Sequence, residues 1–171
     1  MKKKAIFLAF TLLAIPILTA LPAFAGKGQV KLDFMLFLKG GGTGVDEVRV
    51  TDGITHYYGF HWDTTDNTIA NLNLEIGGVS VPVEDYTFLG DLAITKTGHT
   101  AIHAIDTIFF EDGSTIVLKV QDHADPDEPT AGTINGYGTG ALEGIKITGK
   151  TEAQEGGIFV RSGTIMGWPT P

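Results

Sequence analysis

The stretch "GIKITGKT", residues 144–151, satisfies the nucleotide-binding pattern G-x-x-x-x-G-K-[ST] letter for letter. Its reading decides between an α/β nucleotide-binding fold and an all-β one. A phosphate loop follows a strand and opens a helix whose N-terminal N–H groups hold the phosphates. Here Ile145 and Ile147 alternate with Lys146 and Thr148, a strand pattern in the place where the loop should be. After Thr151 only "EAQE" precedes Gly156-Gly157 and the next apolar run, which leaves no room for a helix. Upstream, Gly138, Gly140 and Gly144 make a G-x-G-x-x-x-G run that fails as a dinucleotide fingerprint for the same reason. The stretch therefore reads as a strand, and no nucleotide or other cofactor is expected.

Working outward, period-2 alternation recurs along the chain, and sustained helical periodicity is missing after residue 26. In "VKLDFMLFL" (30–38), Val30, Leu32, Phe34, Leu36 and Leu38 share a face. In "ITHYYGFHW" (54–62), a regular strand would put Ile54, His56, Tyr58, Phe60 and Trp62 on one side and Tyr57 and His61 on the other. "IANLNLEI" (69–76) alternates likewise, and Gly77-Gly78 reads as a hairpin turn into "VSVPV". "YTFLGDLAIT" (86–95) groups Tyr86, Phe88, Leu92 and Ile94. "TAIHAIDTIFF" (100–110) leads through Glu111-Asp112-Gly113 into "STIVLKV" (114–120). "QDHADPDEPTAG" (121–132) reads as a loop, because Pro126 and Pro129 cannot sit in a central strand. "GYGTGALEGIKITGKTEA" (136–153) and "IFVRSGTIM" (158–166) supply the last strands.

These segments predict an all-β domain of eight to ten strands joined as sequential antiparallel hairpins. No segment suits the crossover helix that a parallel sheet needs. Closure into an eight-stranded barrel would remove both exposed edges and leave an interior able to hold one small ligand.

Residues 1–25, "MKKKAIFLAFTLLAIPILTALPAFA", carry three lysines, a long apolar run and Ala23-Phe24-Ala25 before Gly26. That is the layout of a cleavable secretory signal peptide, so residues 26–171 are expected to form one exported domain with no membrane segment of its own. Three of the twelve Lys+Arg lie in this segment, leaving nine against twenty Asp+Glu, a formal charge of −11. Such an acidic surface argues against nucleic acid and anionic membranes as partners. The chain has no cysteine, which excludes disulfides, thiolate metal sites and cysteine nucleophiles.

The 23 glycines fall between apolar segments, where small barrels need turns, bulges and close backbone approach. The run "FFEDGSTIVLKV" followed by "GYGTGALEGIKITGKTEA" resembles the C-terminal half of the allene oxide cyclase and dirigent-like barrels. It does so through Gly113, Ser114, Gly138 to Gly140, Leu142, Gly144 and Gly149. The resemblance covers roughly residues 105–151. It implies an eight-stranded calycin-like barrel, and related barrels include cofactor-independent cyclases and proteins that steer reactive intermediates.

Candidate ligand-binding residues are His56, Tyr58, Phe60, Trp62, Tyr86, Phe88 and Tyr137, aromatic or polar groups suited to an apolar cavity. A packed core with hydrogen-bonded His and Tyr would use the same residues. For catalysis the candidates are His56, Tyr58, His103 and Asp106. Asp106, set among apolar residues, would have a raised pKa if it pointed inward. His99 and His103 lie about 13 Å apart along an extended strand, too far for one metal ion to bridge. No metal site is therefore expected from them. Asp122, Asp125, Asp127 and Glu128 crowd the loop without matching the EF-hand order, which leaves a structural calcium ion open. No nucleophile elbow frames Ser80, Ser114 or Ser162. The functional expectation is a small apolar or aromatic ligand held inside the barrel. The alternatives are a cyclase or isomerase, and a fully packed structural barrel whose tail "IMGWPTP" makes assembly contacts.

Overall fold

A computed structural model of the chain describes residues 30–40, 44–63 and 69–169. The expected signal peptide and the "DTTDN" break after Trp62 lie outside the described residues or at their margin. Eleven strands form: β1 (Lys31–Gly40), β2 (Glu47–Thr51), β3 (Ile54–Asp63), β4 (Ile69–Ile76), β5 (Val79–Val81) and β6 (Asp85–Thr95) in the first half. β7 (Thr100–Phe109), β8 (Thr115–Ala124), β9 (Ala131–Thr139), β10 (Lys146–Gln154) and β11 (Ile158–Met166) follow. The only helical element among the described residues is a single 3₁₀ turn at Gly140–Leu142.

All eleven strands belong to one antiparallel sheet in the order β2-β3-β6-β7-β8-β9-β10-β11-β1-β4-β5. The run from β6 to β11 is the expected series of hairpins, but the first half departs from it. Strand β1 pairs with β11 on one side and β4 on the other, and β3 skips to β6. There are eleven strands instead of eight, and the edges β2 and β5 are not hydrogen-bonded to each other. The nucleotide-like stretch is mostly β10, with Ile145 and Ile147 buried.

One face of this sheet is apolar and turned inward. Its rows follow the cross-strand register, because directly opposed residues share a face. One row runs Trp62, Phe88, Asp106, Leu118, Gly136, Ile147, Ile165, Leu32. A second crosses every strand: Val48, Tyr57, Leu92, Ile102, Asp122, Gly132, Thr151, Arg161, Leu36, Leu74, Val81.

The sheet curls strongly about this face. Trp62 and Phe159 are six strands apart in sheet order, about 29 Å in a flat sheet, yet their rings lie 4.9 Å apart. Glycines on the inner rows make room for the bend. A Cβ on Gly149 would sit 2.1 Å from the Ser162 carbonyl oxygen, and one on Gly163 2.2 Å from that of Thr148. These two glycines face each other across β10 and β11, so neither position has space for a side chain.

Two turn expectations hold in detail. Gly77 and Gly78 both take positive φ (61° and 77°), as a two-residue hairpin requires, and Gly113 does the same between β7 and β8. The C-terminal tail does not stand free: Trp168 is partly buried against the core, with its ring 6.3 Å from that of Phe110.

Candidate functional site

The inner rows of β6, β7, β8, β10 and β11 bring five polar side chains together inside an otherwise apolar core: Tyr86, Asp106, Asp122, Thr151 and Arg161. Arg161 and Asp106 are both fully buried and form an ion pair through Nε and Oδ2. Arg161 Nη2 also donates to Asp106 Oδ1 at 3.3 Å, so both carboxylate oxygens face the guanidinium. Arg161 Nη1 donates to Thr151 Oγ1, and Thr151 donates in turn to Asp122 Oδ2, each at 3.5 Å. The Tyr86 hydroxyl lies beside Asp106 and hydrogen-bonds it. Asp122 Oδ1 is buried without a hydrogen-bond partner.

The walls are aromatic. Phe88 lies under the Arg161 guanidinium at 5.6 Å from its centroid. Trp62 packs 5.0 Å from Phe88 and 4.9 Å from Phe159, and Phe60 meets Trp62 at 5.6 Å and Phe88 at 5.7 Å.

Burial governs the protonation chemistry. It pushes Asp106 above the usual carboxylate range, although the Arg161 charge pulls back. Burial would lower Arg161, but the charges of Asp106, Tyr86 and Asp122 outweigh it and hold the guanidinium charged. Tyr86 is pushed well up, first by burial and then by the Asp106 charge, so its hydroxyl stays protonated. Asp122 is pushed up to about 6, mainly by burial and further by the like charge of Asp106, with Arg161 pulling the other way. Its charge therefore changes near neutrality.

The structure sorts the sequence candidates onto two faces. Phe60, Trp62, Tyr86, Phe88 and Asp106 are on the inner face. His56 and Tyr58 are not, and the reason is a β-bulge. Tyr57 pairs with Leu92 and Phe60 with Gly90, so Tyr58 and Gly59 together oppose Asp91 alone. Gly59 takes φ +62°, and a Cβ there would strike Asp46 Oδ2 at 2.1 Å. The extra residue reverses the alternation, so Tyr57 points inward and His56 and Tyr58 outward. There they stack at 5.8 Å, and Arg49 of β2 lies over Tyr58.

His103 also faces outward. It lines an open groove of about 550 Å³ over β6 to β8 with Asp46, Asp91, Lys119, Gln121 and the exposed Leu89 and Ile105. Tyr137, 47 % exposed, is outward as well. The acidic cluster at 122–128 is divided: β8 extends to Ala124, so Asp122 points into the core. Asp125 instead meets the His99 Nδ1 at 2.8 Å on the surface. Among the described residues no three His, Asp or Glu side chains converge as a metal site.

Arg161 and Thr151 were missed by sequence reading, Asp122 was read as a loop carboxylate, and Tyr57 was set apart from the candidate ligand-binding face. A signal for Arg161 was present: in "IFVRSGTIM" it alternates with Phe159, Gly163 and Ile165, a lone charge on an apolar face. No family model matches the chain. Searches of curated proteins and of solved structures also give no match.

Proposed function

We propose that this chain is an exported, calycin-like β-barrel that holds a small apolar or aromatic molecule against its concave face. Eight consecutive strands of the sheet (β3, β6 to β11, and β1) form the wall in this reading, with β2, β4 and β5 flanking the seam. The Trp62 ring lies against Gly40 at the end of β1, close enough that a Cβ there would sit 3.5 Å from it, which favours closure at that point. The glycine pattern over residues 113–149 ties this barrel, in our reading, to the allene oxide cyclase and dirigent-like proteins.

The observation that carries the proposal is the row crossing the whole sheet. Val48 at its outer end and Val50, two residues along β2 on the same face, are 55 % and 70 % exposed apolar residues on the concave side. From there the row passes Tyr57, Leu92 and Ile102 into the polar cluster at Asp122. An apolar approach ending at a few oriented polar groups is the ordinary anatomy of a small-molecule site.

A thermal-shift and native mass-spectrometry screen of residues 26–171 against apolar metabolites tests it. A bound molecule should raise the melting temperature in proportion to the logarithm of its concentration, and Tyr57→Ser should weaken it. If no molecule stabilises the protein, the packed structural barrel replaces this reading.

A second reading, cofactor-independent isomerisation or cyclisation of an apolar substrate, is favoured by Asp122. A carboxyl with its pKa pushed up to about 6 can both take and give a proton near neutrality. Asp106 is unsuited to that role, because Arg161 occupies both of its oxygens.

A further inference from the structure

The buried cluster is unbalanced in charge. Arg161 supplies one positive charge, and Asp106 takes it at close range. When ionised, Asp122 adds a second negative charge that reaches Arg161 only through the Thr151 hydroxyl. Its Oδ1 has no partner, and its residue is 5 % exposed. The ionisable groups acting on it are Arg161 from β11, Asp106 from β7 and its own neighbour His123. A buried carboxylate whose nearest positive charge is already ion-paired to another carboxylate is costly to hold, and the cost is removed by a cation that can donate to it. The inner row leads to this oxygen along Tyr57, Leu92 and Ile102, so the cation would have to carry an apolar body. Gly132, between Asp122 and Thr151 in the row, keeps side-chain atoms off this oxygen: a Cβ there would lie 2.0 Å from the Gln121 carbonyl oxygen and 2.6 Å from Asp122 Oδ1.

We infer that the molecule taken up by the concave face is a small amine: an apolar or aromatic body with one protonated nitrogen, which donates to Asp122 Oδ1. This rests on the interior-binding reading above and names the ligand class for it. An acid of the same shape would meet a like charge, and an alcohol would satisfy the oxygen but leave the charge uncompensated.

The test uses the neutral dye Nile red as a fluorescent reporter of interior binding. Its competitors are 2-phenylethylamine, 2-phenylethanol and phenylacetate at pH 8. The amine should displace the dye at least tenfold better than the alcohol or the acid. That preference should disappear in Asp122→Asn, and in the unaltered protein it should fall as the pH drops below about 6, where Asp122 gains a proton. The pH series needs no variant, so it decides the matter even if Asp122→Asn folds poorly. Dye binding with no preference for the amine, or with a preference that survives both Asp122→Asn and acid pH, overturns the amine assignment and leaves interior binding standing. Failure of dye and amine alike to bind overturns both.

Discussion

Arg161 on β11 is ion-paired to Asp106 on β7, although three other strands lie between them in the sheet. In a flat sheet the two strands would be about 19 Å apart. The pair therefore bridges the concave space and ties one wall to the other, with Tyr86 and Thr151 completing its hydrogen bonds. Such a pair is weak evidence for net stability, since an apolar replacement of both partners often does as well.

Removing one partner is different. Arg161→Met should destabilise the fold by about 3–5 kcal/mol, because Asp106 is left charged and buried. The double change Arg161→Met with Asp106→Leu should recover most of that loss. Urea unfolding of the three proteins measures both values, and equal destabilisation in single and double variants would contradict the charge argument.

Asp122 gives stability a pH dependence of definite sign. Its folded pKa, pushed up to about 6, lies above its unfolded value, so the folded state holds the proton more tightly. Its contribution is fully present below about pH 4 and is lost as the pH rises through 6. Asp122→Asn should remove this slope and raise stability at pH 7.5 by about 1–2 kcal/mol, a figure discounted for partial solvation. Melting temperatures of both proteins between pH 4 and 8 check it, and parallel curves would refute the assignment.

Gly149 and Gly163 are predicted to be intolerant of any side chain. Alanine at either should cost about 1–3 kcal/mol, because the obstacle is the carbonyl oxygen of the neighbouring strand. Gly144→Ala has open space around it and suffers only from its positive φ of 95°. Chemical denaturation should therefore rank both sheet glycines as more damaging than Gly144.

The bulge at Tyr58-Gly59 can be tested by deletion. Removing Gly59 restores plain alternation in β3 and would send either Tyr57 or the Phe60-Trp62 pair to the wrong side. A loss of at least 3 kcal/mol is expected, in line with exposing a core aromatic. Gly59→Ala keeps the register and should cost less, about 1–2 kcal/mol from strain at positive φ and the Asp46 contact. Tryptophan fluorescence during unfolding, in a Trp168→Phe background, reports on Trp62 in both.

What could be read from the sequence follows from what is local. Alternation in Phe34, Leu36 and Leu38 or Ile116, Leu118 and Val120 reflects the inner face directly, and the glycine pairs announce their hairpins. The face of His56 and Tyr58 was lost because one extra residue reverses the alternation, and Gly59 was the visible hint of it. The pairing of β1 with β11 and of β3 with β6 is non-local, with no residue pattern to announce it. Asp106 stood out as a charge among apolar neighbours, but its partner Arg161 lies 55 residues away. Asp122 was hidden by the prolines after it, which drew the loop boundary four residues too early.

The pairing of Lys31 with Met166 brings the described chain's two ends to the same place, two strands in from the β5 edge of the sheet. Joining them with a short linker and reopening the backbone at the Glu111–Gly113 turn should give a circularly permuted protein that keeps every strand neighbour. The same adjacency means that cargo fused at either end would leave from one pole, on the β5 side of the sheet and seven strands from the free margin at β2.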